Sequence, residues 1–166
     1  MSTFENARYR WRETYFVVFP AEKRPTLTVV EKTLSALSKR YILSQPTIDD
    51  HGLFESLTLA SPDDFAAMDI CLTTGAEVVE QGVELADELS ASLEPNQRAV
   101  LKKIKIYDAR FDVLHFEQIA DLPEEGEEGD DLLDPSALLA VLAALAKITG
   151  GIAIDPQSGT ILSENF

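Results

Sequence analysis

From 135 to 149 the chain runs fifteen residues with a single charge, Lys147. Leu138, Leu139, Val141, Leu142, Leu145 and Ile148 spread around much of the circumference of the helix this segment would form. A helix that is apolar nearly all round must be covered nearly all round. The fold must therefore bring a sheet to one side of this segment and a second helix, or a second copy of the chain, to another. Asp134 stands at the N-cap position, Pro135 follows at the first helical position, and Gly150-Gly151 ends the run. The segment is too short to span a membrane, which takes about 20 apolar residues. Ser136, Ala140, Ala143, Ala144 and Lys147 make a side of small residues that lets another helix approach closely. The expectation is a homodimer with Ala140, Ala143, Ala144 and Lys147 at the two-fold contact.

The rest of the chain alternates helical and extended signals. Thr14 to Phe19 is β-branched and aromatic on both faces, as in a strand covered on both sides. Residues 1–12 before it, with Arg8, Tyr9, Arg10, Trp11 and Arg12 together, read as an irregular or helical basic and aromatic arm. A helix is predicted over 27–41, where Val30, Leu34, Leu37 and Tyr41 share one face; Thr28 and Glu31 have capping-box spacing. Three strands follow near 42–48, 53–60 and 65–73, separated by turns at Asp50-His51-Gly52 and Ser61-Pro62-Asp63-Asp64. A second helix covers 76–93 with an inner stripe of Val79, Val83, Ala86, Leu89 and Leu93. A short helical turn and a long strand over 104–117 come next, and a hairpin from Ile152 to Leu162 closes the order.

Helices interspersed among mostly antiparallel strands indicate a single α+β domain over 1–166, a two-layer sandwich with helices on one face. Ferredoxin-like pairing is the arrangement expected for its first part. The inner order α-β-β-β-α-β-(β)-α also resembles that of the type III secretion chaperones. That resemblance implies a small acidic dimer that holds other proteins.

Charge narrows the partners. Fourteen basic residues stand against 29 acidic ones, a net of −15, which disfavours nucleic acid and anionic membranes and favours cationic proteins or metal ions. Eight of the acids fall between 121 and 134 with no base among them, so this stretch reads as a mobile acidic loop carrying −8 and leaving −7 elsewhere. Cys71 is the only cysteine, which rules out an intrachain disulfide and fits a reducing, cytoplasmic setting. No basic region followed by an apolar run opens the chain, so no secretory leader is expected.

Few residue groupings carry chemistry. His115 and Glu117 lie two apart on one strand and share a face, where a His–carboxylate pair could act as base and orienting partner. Asp108, Arg110 and Asp112 beside them form a ladder of alternating sign. Thr73-Thr74-Gly75 joins a strand to a helix start, where free N–H groups can hold an anion. Asp49-Asp50-His51 reads as a polar turn, and Cys71, flanked by Ile70 and Leu72, as a buried inert thiol. No metal site, cofactor motif or catalytic triad can be assembled. The reading is a non-enzymatic protein-binding or regulatory module, chaperone- or inhibitor-like, with a basic protein partner. The alternative is a small enzyme or ligand-sensing domain using the His115/Glu117 face with Arg110, Thr73, Thr74 and Gly75.

Overall fold

A computed structural model describes residues 3, 6–119 and 135–164. The acidic segment at 121–134 lies outside the described residues. The elements are β1 (Tyr9–Phe19), α1 (Leu27–Ser35), β2 (Ile42–Ile48), β3 (Phe54–Ser61), β4 (Ala66–Thr74), α2 (Ala76–Ser90), α3 (Ala99–Ile106), β5 (Ala109–Gln118), α4 (Ser136–Thr149), β6 (Ile152–Asp155) and β7 (Thr160–Glu164). The fold is α+β, four helices on a seven-stranded antiparallel sheet of order β2-β3-β4-β5-β1-β6-β7. Strands β2 to β5 follow one another across the sheet, and β1 inserts between β5 and β6. That order differs from the ferredoxin-like pairing, because β2, β3 and β4 are joined by short turns and pair consecutively.

β1 is the centre of the molecule, and its alternation divides the core. Val17 and Phe19 point to one face, where α1 and α4 pack through Val30, Leu34, Leu138, Val141, Leu142 and Leu145. Phe19 tilts against Phe111 with ring centroids 4.7 Å apart, and Phe54 meets Phe111 edge-on at 5.5 Å. This sheet and its two helices form the two-layer sandwich. Val18 points to the other face, where Ile152 and Ile154 join Leu85, Ala86 and Leu89 of α2 and Val100 and Ile104 of α3. A second, shorter helical layer therefore lies on that face at the β1–β6–β7 end, so the helices are not confined to one side. The cause is visible in the strand: Val17 and Val18 are both buried, and each needs its own cover.

Three boundaries and one buried face differ from expectation. Residues 9–12 are not a separate arm but continue β1, pairing from Tyr9 opposite Gln118 with a bulge between Trp11 and Glu13. Helix α1 stops at Ser35, and its cap is Thr26, whose hydroxyl accepts from the Val29 N–H, rather than Thr28. Ile104 to Ile106 ends helix α3 instead of opening β5, since Val100 and Ile104 at i, i+4 bury together against α2. On α2 the buried stripe is Val78, Gly82, Leu85, Ala86 and Leu89, and Val83 faces out. Helix α4 ends as expected, with Gly150 at φ +64 taking the left-handed position. No helix among the described residues is long and apolar enough to cross a membrane.

Candidate functional site

Strand parity separates the residues singled out in the sequence. On β5, Arg110 and Asp112 point towards α2, while Val113, His115 and Glu117 point to the face carrying α1 and α4. His115 and Glu117 are brought together, and Arg110 is not with them.

On the α2 side, Arg110 stands opposite Thr73 of β4, and the chain then passes through Thr74 and Gly75 into α2. Of the six expected ligand residues, Arg110 lines the groove between α2 and the sheet, and Thr73, Thr74 and Gly75 are not among its lining. Arg110 donates from Nε to Asp112 Oδ1 at 2.6 Å and from a terminal nitrogen to Gln81 Oε1 at 2.6 Å. Its guanidinium also stacks on the Phe16 ring, 4.3 Å from the centroid. Burial raises the Asp112 carboxyl above its ordinary range, and Arg110 opposes that rise. Between α2 and the sheet runs a groove of about 460 Å³. Phe16, Val18, Val78 and Leu85 supply its apolar surface, Glu84 and Glu88 line it from α2, and Pro156 lines it from the β6–β7 turn. The free N–H groups expected at the start of α2 are partly used, since Gly75 donates to the Asp108 carbonyl.

On the other face, Glu117 is only 3% exposed and accepts from Arg10 at 2.5 Å and from Arg12 at 3.0 Å. His115 is 1% exposed, and its Nδ1 lies 3.1 Å from Glu13 Oε1, which also accepts from the Tyr15 hydroxyl. The Tyr15 hydroxyl is pushed well above its usual range, first by burial and then by Glu13. Among the described residues His115 Nε2 has no hydrogen-bond partner. Glu13 was missed in the sequence. The bulge after Trp11 sets its parity, and its partner lies 102 residues away.

The remaining groupings have structural roles. Asp49 accepts the N–H groups of His51 and Leu53 and pairs with Arg24 at 3.0 Å, so Asp49-Asp50-His51 builds a turn. Among the described residues, no three or more His, Cys, Asp or Glu side chains are placed to hold a metal ion. Cys71 is half-buried, and its thiol is pushed up to about 11 by burial and by the negative charges of Asp69 and Asp112. On α4, Ala140, Ala143 and Ala144 are half-buried, while Lys147 and Leu139 face outwards. Compared with protein families, curated proteins and solved structures, the chain matches none.

Proposed function

We propose that this chain is a non-enzymatic protein-binding or regulatory module that holds a basic, partly apolar segment of a partner protein in the groove along α2. The observation that carries this reading is the lining of that groove. Phe16, Val18 and Leu85 offer an apolar floor, Glu84 and Glu88 line it from α2, and its cation, Arg110, is already paired with Asp112. The rest of α2 extends the negative field, with Glu77, Glu80 and Asp87 and no basic residue. A segment bearing lysines or arginines beside an apolar anchor complements both surfaces. The Cys71 thiol, pushed up to about 11 first by burial, stays protonated at neutral pH, in keeping with its reading as inert.

The test uses a labelled amphipathic Lys/Leu peptide and fluorescence anisotropy. Saturable binding that weakens with salt, and falls at least tenfold in the Glu84→Lys/Glu88→Lys double variant, is the expected result. Unchanged affinity in that variant, or equal binding of a Glu/Leu peptide, would sink the reading.

Leu139 is 49% exposed next to the half-buried Ala140 and Ala143, so the outer flank of α4 is apolar and small. This flank supports a homodimer through Ala140, Ala143, Ala144 and Lys147. A second reading, a small enzyme or ligand-sensing domain on the His115/Glu117 face, draws on the Glu13–His115 pair and on His115 Nε2, which has no partner among the described residues. Glu117, held by Arg10 and Arg12, supports that site less, since its charge is already taken.

A further inference from the structure

The face of the sheet that α2 and α3 cover at one end carries no helix at the other among the described residues. There β2, β3 and β4 enclose a cleft of about 330 Å³ lined by Gln45, Pro46, Thr47, Ser56, Thr58, Asp69 and Cys71. Register places these groups side by side: Ser56 stands opposite Cys71, and Thr58 opposite Asp69. Gln45, with φ +53, and Pro46 sit where the β2–β3 pairing slips, so the edge strand bows away and leaves room over the two hydroxyls.

Asp69 sets the chemistry of this cleft. It is 8% exposed, yet no Lys, Arg or His among the described residues forms an ion pair with it. Its Oδ1 accepts from the Thr58 hydroxyl at 2.8 Å and the Thr3 hydroxyl at 2.5 Å, and among the described residues its Oδ2 accepts only from the Thr3 N–H at 3.4 Å. Neutral donors therefore carry a buried carboxylate whose second oxygen is weakly held. A buried anion normally has a paired cation, because desolvating it alone is costly. The Cys71 thiol, two residues along the same strand face, is pushed up first by burial and then by the negative charges of Asp69 and Asp112. Thr3 closes one flank, and the cleft opens on the other, towards Ser56 and Thr47.

We propose that this cleft binds a primary alkylammonium group, with the ammonium at Asp69 Oδ2 and its remaining N–H groups on the hydroxyl oxygens of Ser56 and Thr58. An ammonium supplies three donors and the missing charge, and Pro46 gives its methylene stem an apolar wall. The shared chemistry fits both a free amine and a lysine side chain. The site is separate from the α2 groove and stands or falls without it.

The experiment titrates the whole chain with n-butylammonium, with 1-butanol as the neutral isostere, and with Nα-acetyl-lysine methylamide, following the backbone amide signals of Thr58 and Cys71 by NMR. Saturable shifts with an ammonium, at least tenfold tighter than with butanol and lost at least tenfold in Asp69→Asn, are expected. Binding of butylammonium assigns a free amine as a sufficient ligand; binding of the lysine derivative alone assigns a polypeptide source. Should Asp69→Asn fail to fold, Ser56→Ala on the cleft wall takes its place, with a several-fold loss expected. Equal shifts with butanol, no saturation by either ammonium, or undiminished binding in the folded variant overturns the proposal.

Discussion

Gly82 on α2 and Ile104 on α3 meet backbone to backbone: a Cβ on Gly82 would stand 2.6 Å from the Ile104 carbonyl oxygen. The two helices can pack this closely only because position 82 carries no side chain. Gly82→Ala gains about 1 kcal/mol of helix propensity, but the new methyl meets backbone that cannot rotate away. Overpacking of this kind costs about 1–3 kcal/mol. The net expectation is a lower melting temperature with α3 loosened from α2, checked by thermal denaturation and by faster hydrogen exchange in α3.

Cys71 carries a pH prediction. Its thiol is shifted from an ordinary 9.0 to about 11, by burial first and by Asp69 and Asp112 after it. At about pH 8 the thiolate fraction, and with it the alkylation rate, should be roughly a hundredfold below that of the unfolded chain. The linkage has a definite sign. An acid whose folded pKa is raised contributes stability fully present below the unfolded value of 9.0, and that stability is lost as pH rises towards 11. Iodoacetamide rates across this range, with and without denaturant, check it; equal rates in both states would show the thiol to be unperturbed.

Arg10 and Arg12 reach the same oxygen of the buried Glu117, so they should back each other up. Arg10→Ala or Arg12→Ala alone should cost about 1 kcal/mol or less, because the other guanidinium stays. The double variant strands a buried carboxylate and should cost about 3 kcal/mol or more. Chemical denaturation of the four proteins measures the coupling, and strict additivity would mean that the two arginines act independently and do not back each other up.

Much of this architecture is readable in residue patterns, and the misses share a cause. Strands β2, β3 and β4 fall within a residue of expectation because turn chemistry marks their ends at Gly52 and Pro62. Helix α4 ends at its glycine signal and begins one residue later than expected, with Pro135 at the N-cap instead of the first helical position. Ile104 and Ile106 misled because β-branched residues favour strands locally, whereas contact with α2 decides the outcome here. The stripe on α2 is rotated towards Gly82 for the same reason: the close approach to Ile104 selects the buried face, and hydrophobicity alone favours Val83. Among the site residues, His115 and Glu117 pair on one face by simple alternation, and Arg110 falls on the other by the same rule. Glu13 and Asp69 were invisible. Each gains its meaning from a partner more than 60 residues away, His115 for one and Thr3 for the other, and no local spacing announces either.

The flank of α4 gives the sharpest test of assembly. Leu138, Val141, Leu142 and Leu145 bury against the sheet and α1, which satisfies most of the apolar circumference within one chain. Leu139 remains half exposed, and Ala140 and Ala143 beside it are small enough for another helix to seat against them. Across a two-fold axis each residue would face its own copy or a near neighbour, so Ala143→Glu would place two like charges together in a desolvated contact. The expected outcome is a dimer that splits to a folded monomer, since the glutamate can reach solvent once the copies part. Light scattering gives the mass and circular dichroism the fold. Loss of structure together with the dimer would mean that Ala143 packs within one chain. A wild-type protein that stays monomeric at micromolar concentration would remove the two-fold contact altogether.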